Sequence, residues 1–311
     1  MNQQLYERAK RFILQRARPI DHAKWRFHFE GASPEVVLDV LSQYQNGDGG
    51  FGYGLEPDFW NPASSPIQTW AATEAIRSLG YENGKHPVVV GILKFLESRV
   101  HFHGHTWDRT IASNNDHPRA PWWTHRSGDH DPREGGYNPT ASLAGFALQF
   151  SPAGSKLYEL AVQIAAEALR ALLDAASVEV HELSCFLTLL DSLLKTGTDV
   201  KVDLASVEKK IGSLVNASLT RDTGRWKTEY VCRPSRFIRT RTDRFFPGNQ
   251  EITEFECQFL RETQRDDGSW PVTWNWAEFP QEWPVAREWW KSAIVVENLV
   301  FLRNMEKGTG N

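Results

Sequence analysis

The sequence predicts an all-α fold in which helical hairpins of near-equal length close into a ring. Three observations lead there: apolar residues recur at helical rather than strand spacing, the helix ends carry recognisable start and stop signals, and a short Gln-Gly-aromatic pattern returns at a regular interval. No convincing run of alternating strand residues interrupts them.

Taken in chain order, ASPEVVLDVLSQYQ offers Ser33 as N-cap, Pro34 in the first turn and Val37, Leu38, Leu41 and Tyr44 on one side. SSPIQTWAATEAIRSLG repeats the device, with Ser65 as cap, Pro66 following and Gly80 as the stop. ASLAGFALQF, KLYELAVQIAAEALRALLDAA, HELSCFLTLLDSLLKTG, DLASVEKKIGSLVNASL, NQEITEFECQFLRETQ and REWWKSAIVVENLVFLRNM are further helices.

Repeats organise these helices. Gln45, Gly49 and Phe51 form the pattern Q-x-x-x-G-x-aromatic, and Gln264, Gly268 and Trp270 reproduce it. Degenerate copies keep Gly135 and Tyr137 with Asp131 at the Gln position, and Gly224 and Trp226 with Thr220 there. The leading positions 45, 131, 220 and 264 are separated by 86, 89 and 44 residues, so two intervals are close to twice the third. A unit of about 44 residues holds two helices and two connections, and six units fill most of the chain. In each copy the Gln amide can tie a helix end to the next loop, the glycine gives the turn, and the aromatic plugs the gap between hairpins.

These motifs, QNGDGGFG and QRDDGSW, resemble those of the prenyltransferase and squalene cyclase repeat superfamily, a terpenoid cyclase-like family. The resemblance implies a single (α/α)6 toroid over residues 1–311, with the repeat-bearing region at about 33–300 and a long irregular loop at 101–138. It also implies an isoprenoid or other largely apolar substrate in a Trp-lined central pocket. The superfamily's chemical motifs do not carry over. DxDD is missing: Asp129-His130-Asp131-Pro132 and Gln264-Arg265-Asp266-Asp267 are incomplete, and Asp266-Asp267-Gly268-Ser269-Trp270 fails DDxxD at its last position. The member is therefore a functionally divergent, single-barrel one, and prenyltransferase-type zinc ligation finds no matching surroundings at Cys232 or Cys257.

Bulk properties narrow the function. With 35 basic and 39 acidic side chains the net charge is -4, which removes the general electrostatic argument for nucleic acid as a partner. MNQQLYERAKRFILQRARP is amphipathic and charged, without the apolar centre of a signal peptide, and no window approaches about 18 apolar residues. The expectation is a cytoplasmic protein without a transmembrane segment, taking a small-molecule substrate. Cys185, Cys232 and Cys257 are too few and scattered for a disulfide framework.

Candidate site residues fall on the loops. Residues 101–139 hold six of the ten histidines; His101, His103 and His105 alternate as if on one face of an extended strand, and His117, His125 and His130 follow among Asp116, Asp129 and Asp131. Imidazole and carboxylate suit a divalent metal, but no ligand spacing is recognisable, so no cofactor is expected. Asp116 or His117 is the expected general acid or base, with Glu56 or Asp58, just past the glycine loop, as its counterpart. Trp122, Trp123, Tyr137, Asn138, Trp274 and Trp276 would wall the substrate, and Arg233, Arg236 and Arg239 would meet an anionic head. Trp platforms with Asn, His, Tyr and Arg also suit a glycan-active α/α-toroid enzyme, a polysaccharide lyase or glycoside hydrolase; a non-catalytic small-molecule binding protein is the third reading.

Overall fold

The computed structural model describes residues 2–126 and 136–307, so the degenerate repeat's Asp131 and Gly135 lie outside the described residues. The chain is all-α. Among the described residues its helices are α1 (Gln3–Arg16), α2 (Pro19–Glu30), α3 (Glu35–Leu41), α4 (Pro66–Ser78), α5 (Pro87–Ser98), α6 (Thr140–Phe150), α7 (Lys156–Asp174), α8 (Val180–Thr196), α9 (Leu204–Ser218), α10 (Gln250–Thr263) and α11 (Trp283–Lys307). A single two-residue hairpin, β1 (Phe102–His103) with β2 (Thr106–Trp107), is the sheet structure among them. None of the described helices is long and apolar enough to cross a membrane. The chain divides into two compact units, one of residues 41–214 and one of residues 1–40 with 215–311.

The helix-end signals are realised where their chemistry is local. Ser65 accepts from the Gln68 backbone N–H ahead of α4, and Pro66 occupies the first turn, where no intrahelical donor is needed. Gly80, at φ 63°, stops the chain just beyond, and Gly197 takes the left-handed position after α8. The α3 segment is shorter than its pattern: the helix ends at Leu41 and tightens into a 3-10 turn over Ser42–Tyr44. The motif beginning at Gln45 needs extended backbone there, and it ends the helix early.

In the 41–214 unit, α6 is the central element. Every residue from Thr140 to Leu148 is buried, and α6 packs on α7, α8, α4 and α5. In the other unit, α1 and α2 pack on α11, burying Phe12, Ile13, Ile20 and Trp25. Full burial of such side chains contributes roughly 1.5–3 kcal/mol each.

One joint appears once in each unit. Gln45 donates from Nε2 to the Gly49 carbonyl at 2.9 Å and to the Val88 carbonyl, in the first turn of α5, at 3.0 Å. Gln264 donates to the Gly268 carbonyl at 3.1 Å and to Leu5, in the first turn of α1, at 3.0 Å. The enclosed turns match: Asn46 N–H bonds Gly50 and Gly49 N–H bonds Asn46, as Arg265 bonds Ser269 and Gly268 bonds Arg265. The glycines sit at φ +93° and +91°, and an added Cβ would fall 2.0 Å from the Gly91 oxygen or 2.1 Å from the Arg8 oxygen. Gly91 follows Val88 by the same step that separates Arg8 from Leu5, so both turns dock on their helices in one register. Phe51 and Trp270 are buried behind them.

The copy at Thr220 is different. Its Trp226 is buried and donates from Nε1 to the Thr220 carbonyl at 2.8 Å, but Gly224 has no positive φ and a Cβ there meets only Asp222, at 3.3 Å. Thr220 lacks the amide that bridges to a second helix, so the spacing persists without the joint.

Gln264→Ala removes three hydrogen bonds, two donated to the Leu5 and Gly268 carbonyls and one accepted from Arg8, and is expected to lower stability by about 2–3 kcal/mol in urea denaturation. Gly268→Ala should cost at least as much through φ and the helix backbone. Gly224→Ala should stay within about 0.5 kcal/mol of the parent protein. Equal effects at Gly224 and Gly268 would show the joint to be incidental.

Candidate functional site

Within the 41–214 unit the glycine loop and the long loop are sewn into one body. The Ala120 N–H donates to the Asp58 carbonyl at 2.8 Å, and the Trp60 N–H to Pro118 at 3.0 Å. Asn61 donates to Ser113 and Asn114, and Asn114 in turn donates to the Trp123 carbonyl. Arg119 gathers the Asn114, Asn115 and His117 carbonyls on one guanidinium nitrogen. A guanidinium serves here as an internal clasp because its donors are rigidly forked.

These links place the first group of predicted residues on neighbouring segments. Glu56 and Asp58 are buried rather than projecting: the Asp58 N–H donates to Glu56 Oε2 at 2.8 Å, and the Glu56 N–H donates to Gln68 Oε1 at 2.8 Å. Asp116 is exposed at the end of a 3-10 turn, and His117 is half-buried beside it. Trp122 is 40% exposed while Trp123 is buried and stacks on Phe59 with ring centres 6.2 Å apart. Tyr137 and Asn138 lead into α6, as the sequence predicts, with the Ala141 N–H bonded to the Tyr137 carbonyl. Asn138 Oδ1 lies 3.7 Å from the Cys185 thiol.

Two residues not singled out from the sequence join this group. Glu182, in the first turn of α8, accepts the Tyr137 backbone N–H at 2.6 Å. Gly136 permits that approach, since a Cβ there would fall 2.4 Å from Glu182 Oε1. Burial raises the Glu182 pKa, and Glu179 adds to the effect; the Tyr137 N–H and the Arg109 charge oppose it without overcoming it. Arg109 is exposed and lies over the Trp123 ring, its Cζ 5.6 Å from the ring centre. Tyr137 is itself pushed up by burial and by the Glu167 and Glu182 charges. In the sequence Glu182 reads as an ordinary acid in a helix's first turn; only its meeting with Tyr137, 45 residues away, distinguishes it.

The histidine alternation is corrected by the structure. His101 has φ 58°, and β1 turns into β2 within two residues, so the three rings do not share a strand face. His103 pairs with Asp108 at 2.9 Å and His105 with Glu167 at 3.0 Å, while burial lowers the His101 pKa. Among the described residues no three His, Cys, Asp or Glu side chains converge as a metal-ligand set; Asp129, His130 and Asp131 lie outside them.

The remaining predicted residues belong to the other unit. Arg233 faces buried Glu256 at 3.4 Å, where the Ser235 N–H and hydroxyl also donate to the carboxylate. Burial raises the Glu256 pKa against these three donors. Arg236 and the exposed Arg239 are charged neighbours of Glu297, together with Lys24 and Asp21. Glu297 itself is exposed. Trp274 meets Trp290 and Tyr230 edge to face, whereas buried Trp276 packs on Trp283 and Phe279, so the two indoles engage separate clusters.

A raised carboxylate pKa has a signed consequence. The folded form of Glu182 holds its proton above the ordinary value of 4.5, so its contribution to stability is complete below that value and is lost as pH rises through the folded pKa. Glu182→Gln is therefore expected to flatten the decline in melting temperature from pH 4.5 upward. Parallel curves for variant and parent would contradict the desolvation.

No family model matches the chain, and neither the curated proteins nor the solved structures contain a match to it.

Proposed function

We propose that the chain is an acid–base enzyme acting on a polyhydroxylated, glycan-like substrate, with Glu182 as the proton donor. The supporting observation is the half-buried Glu182 carboxyl, its pKa raised by burial, which accepts the Tyr137 N–H and feels the charge of Arg109, itself lying over Trp123. A carboxylic acid with a raised pKa is what protonation of a leaving oxygen at neutral pH requires, and an exposed indole offers a flat apolar face to a sugar ring. Asp116 and His117 remain the proposed partners for the complementary proton, Asp116 exposed at the end of its 3-10 turn. Buried Glu56 and Asp58 act in this reading as supports for the loop rather than as reacting groups.

The isoprenoid reading is favoured by a different observation, the Gln–Gly joint repeated in both units, which supports the terpenoid cyclase-like architecture and with it a toroid of helical hairpins. That joint bears on architecture, whereas the charged and hydrogen-bonding groups around Glu182 favour a polar substrate.

The deciding experiment is turnover and thermal-shift screening against neutral and acidic oligosaccharides alongside prenyl diphosphates. Glu182→Gln should lower kcat on the responding glycan by about 100-fold or more, with helicity unchanged. Turnover of a prenyl diphosphate alone, or an active Glu182→Gln enzyme, would overturn the proposal.

A further inference from the structure

We propose that Arg109 and Trp123 form a subsite for a carboxylate group carried by the substrate, beside Glu182. The inference rests on the acid–base reading of that site and names the chemistry of what it takes. Trp123 is 7% exposed, and its indole N–H is buried without a hydrogen-bond acceptor. An indole nitrogen can only donate, and leaving such a donor unmet typically costs about 1–3 kcal/mol, so an acceptor reaching this position is rewarded.

Arg109 supplies the charge. Its Cζ lies 5.6 Å from the centre of the Trp123 ring, so the guanidinium sits against the indole. Its forked donors match the two oxygens of a carboxylate. Arg109 is exposed, so a solute reaches it directly, and the loop beneath is held by the Asn114–Trp123 and Arg119 hydrogen bonds. The position of the Trp123 donor is thus fixed before binding, which reduces the ordering cost of association. Glu182 and Tyr137 complete the surroundings, and a singly charged carboxylate suits a place that already contains Glu182, Glu179 and Glu167 better than a doubly charged phosphate does.

The test is calorimetric titration of the full chain with glucuronate, glucose, glucose 6-phosphate and benzoate at low salt. Glucuronate should bind at least tenfold more tightly than glucose, and Arg109→Gln should remove that advantage while leaving glucose unaffected. Arg109→Lys should restore only part of it, because a point charge lacks the fork. Trp123→Phe, which keeps the aromatic face and deletes the donor, should weaken glucuronate several-fold. Equal binding of glucose and glucuronate, unaltered glucuronate binding in Arg109→Gln, or no carboxylate binding at all would overturn the subsite. Tightest binding of glucose 6-phosphate through Arg109 would overturn the carboxylate assignment. Arg109-dependent binding of benzoate without either sugar would uphold the subsite and sink the glycan reading instead.

Discussion

Two glutamine amides hold the repeated architecture together. Each spans from its own turn to a carbonyl in the first turn of another helix, so one side chain sets both the shape of the loop and the place where the next element docks. The glycine four residues on is the necessary complement, because it removes the atom that would collide with that helix's backbone. Neither residue achieves the result alone, and the pair explains why the pattern is Gln and Gly rather than any polar residue with any turn.

The polar groups obey a similar economy of placement. Arg119 and Asn114 spend their donors on backbone carbonyls of the long loop, and Arg233 serves a buried carboxylate. Such groups are consumed by structure. Glu182 differs: the helix N-terminus and the Tyr137 N–H both favour its ionised form, yet burial outweighs them and raises its pKa. A group poised between opposing influences is the usual raw material of proton transfer.

How much of this was legible depended on range in sequence. The cap at Ser65, the stop at Gly80 and the helices from α6 to α11 follow from neighbours within a turn or two, and they appear as the periodicity requires. The joint was readable because its residues recur together, although the copy at Thr220 shows that spacing alone does not guarantee the contact. The histidine alternation misled because a left-handed residue at His101 and a tight hairpin break the period of two. Glu182 and Arg109 escaped notice since nothing local marks them; their significance arises from Tyr137 and Trp123, which reach them from other segments. Trp274 and Trp276 share a two-residue spacing but not a neighbourhood, a distinction no short window contains.

The Gln264 bridge to Leu5 links positions 259 apart, against 43 for Gln45 and Val88. On a flexible chain the longer closure carries an entropic penalty about 1.6 kcal/mol greater. During synthesis on the ribosome, the segment from 41 to 214 emerges whole and can settle first, which shortens the effective tether between the ends. The helix α1 must meanwhile wait, its apolar stripe of Leu5, Ala9, Phe12 and Ile13 only partly covered by α2, until Gln264 and α11 have been made. A nascent chain stalled before Gln264 would present that stripe to chaperones, making the newborn polypeptide more dependent on them than its finished form.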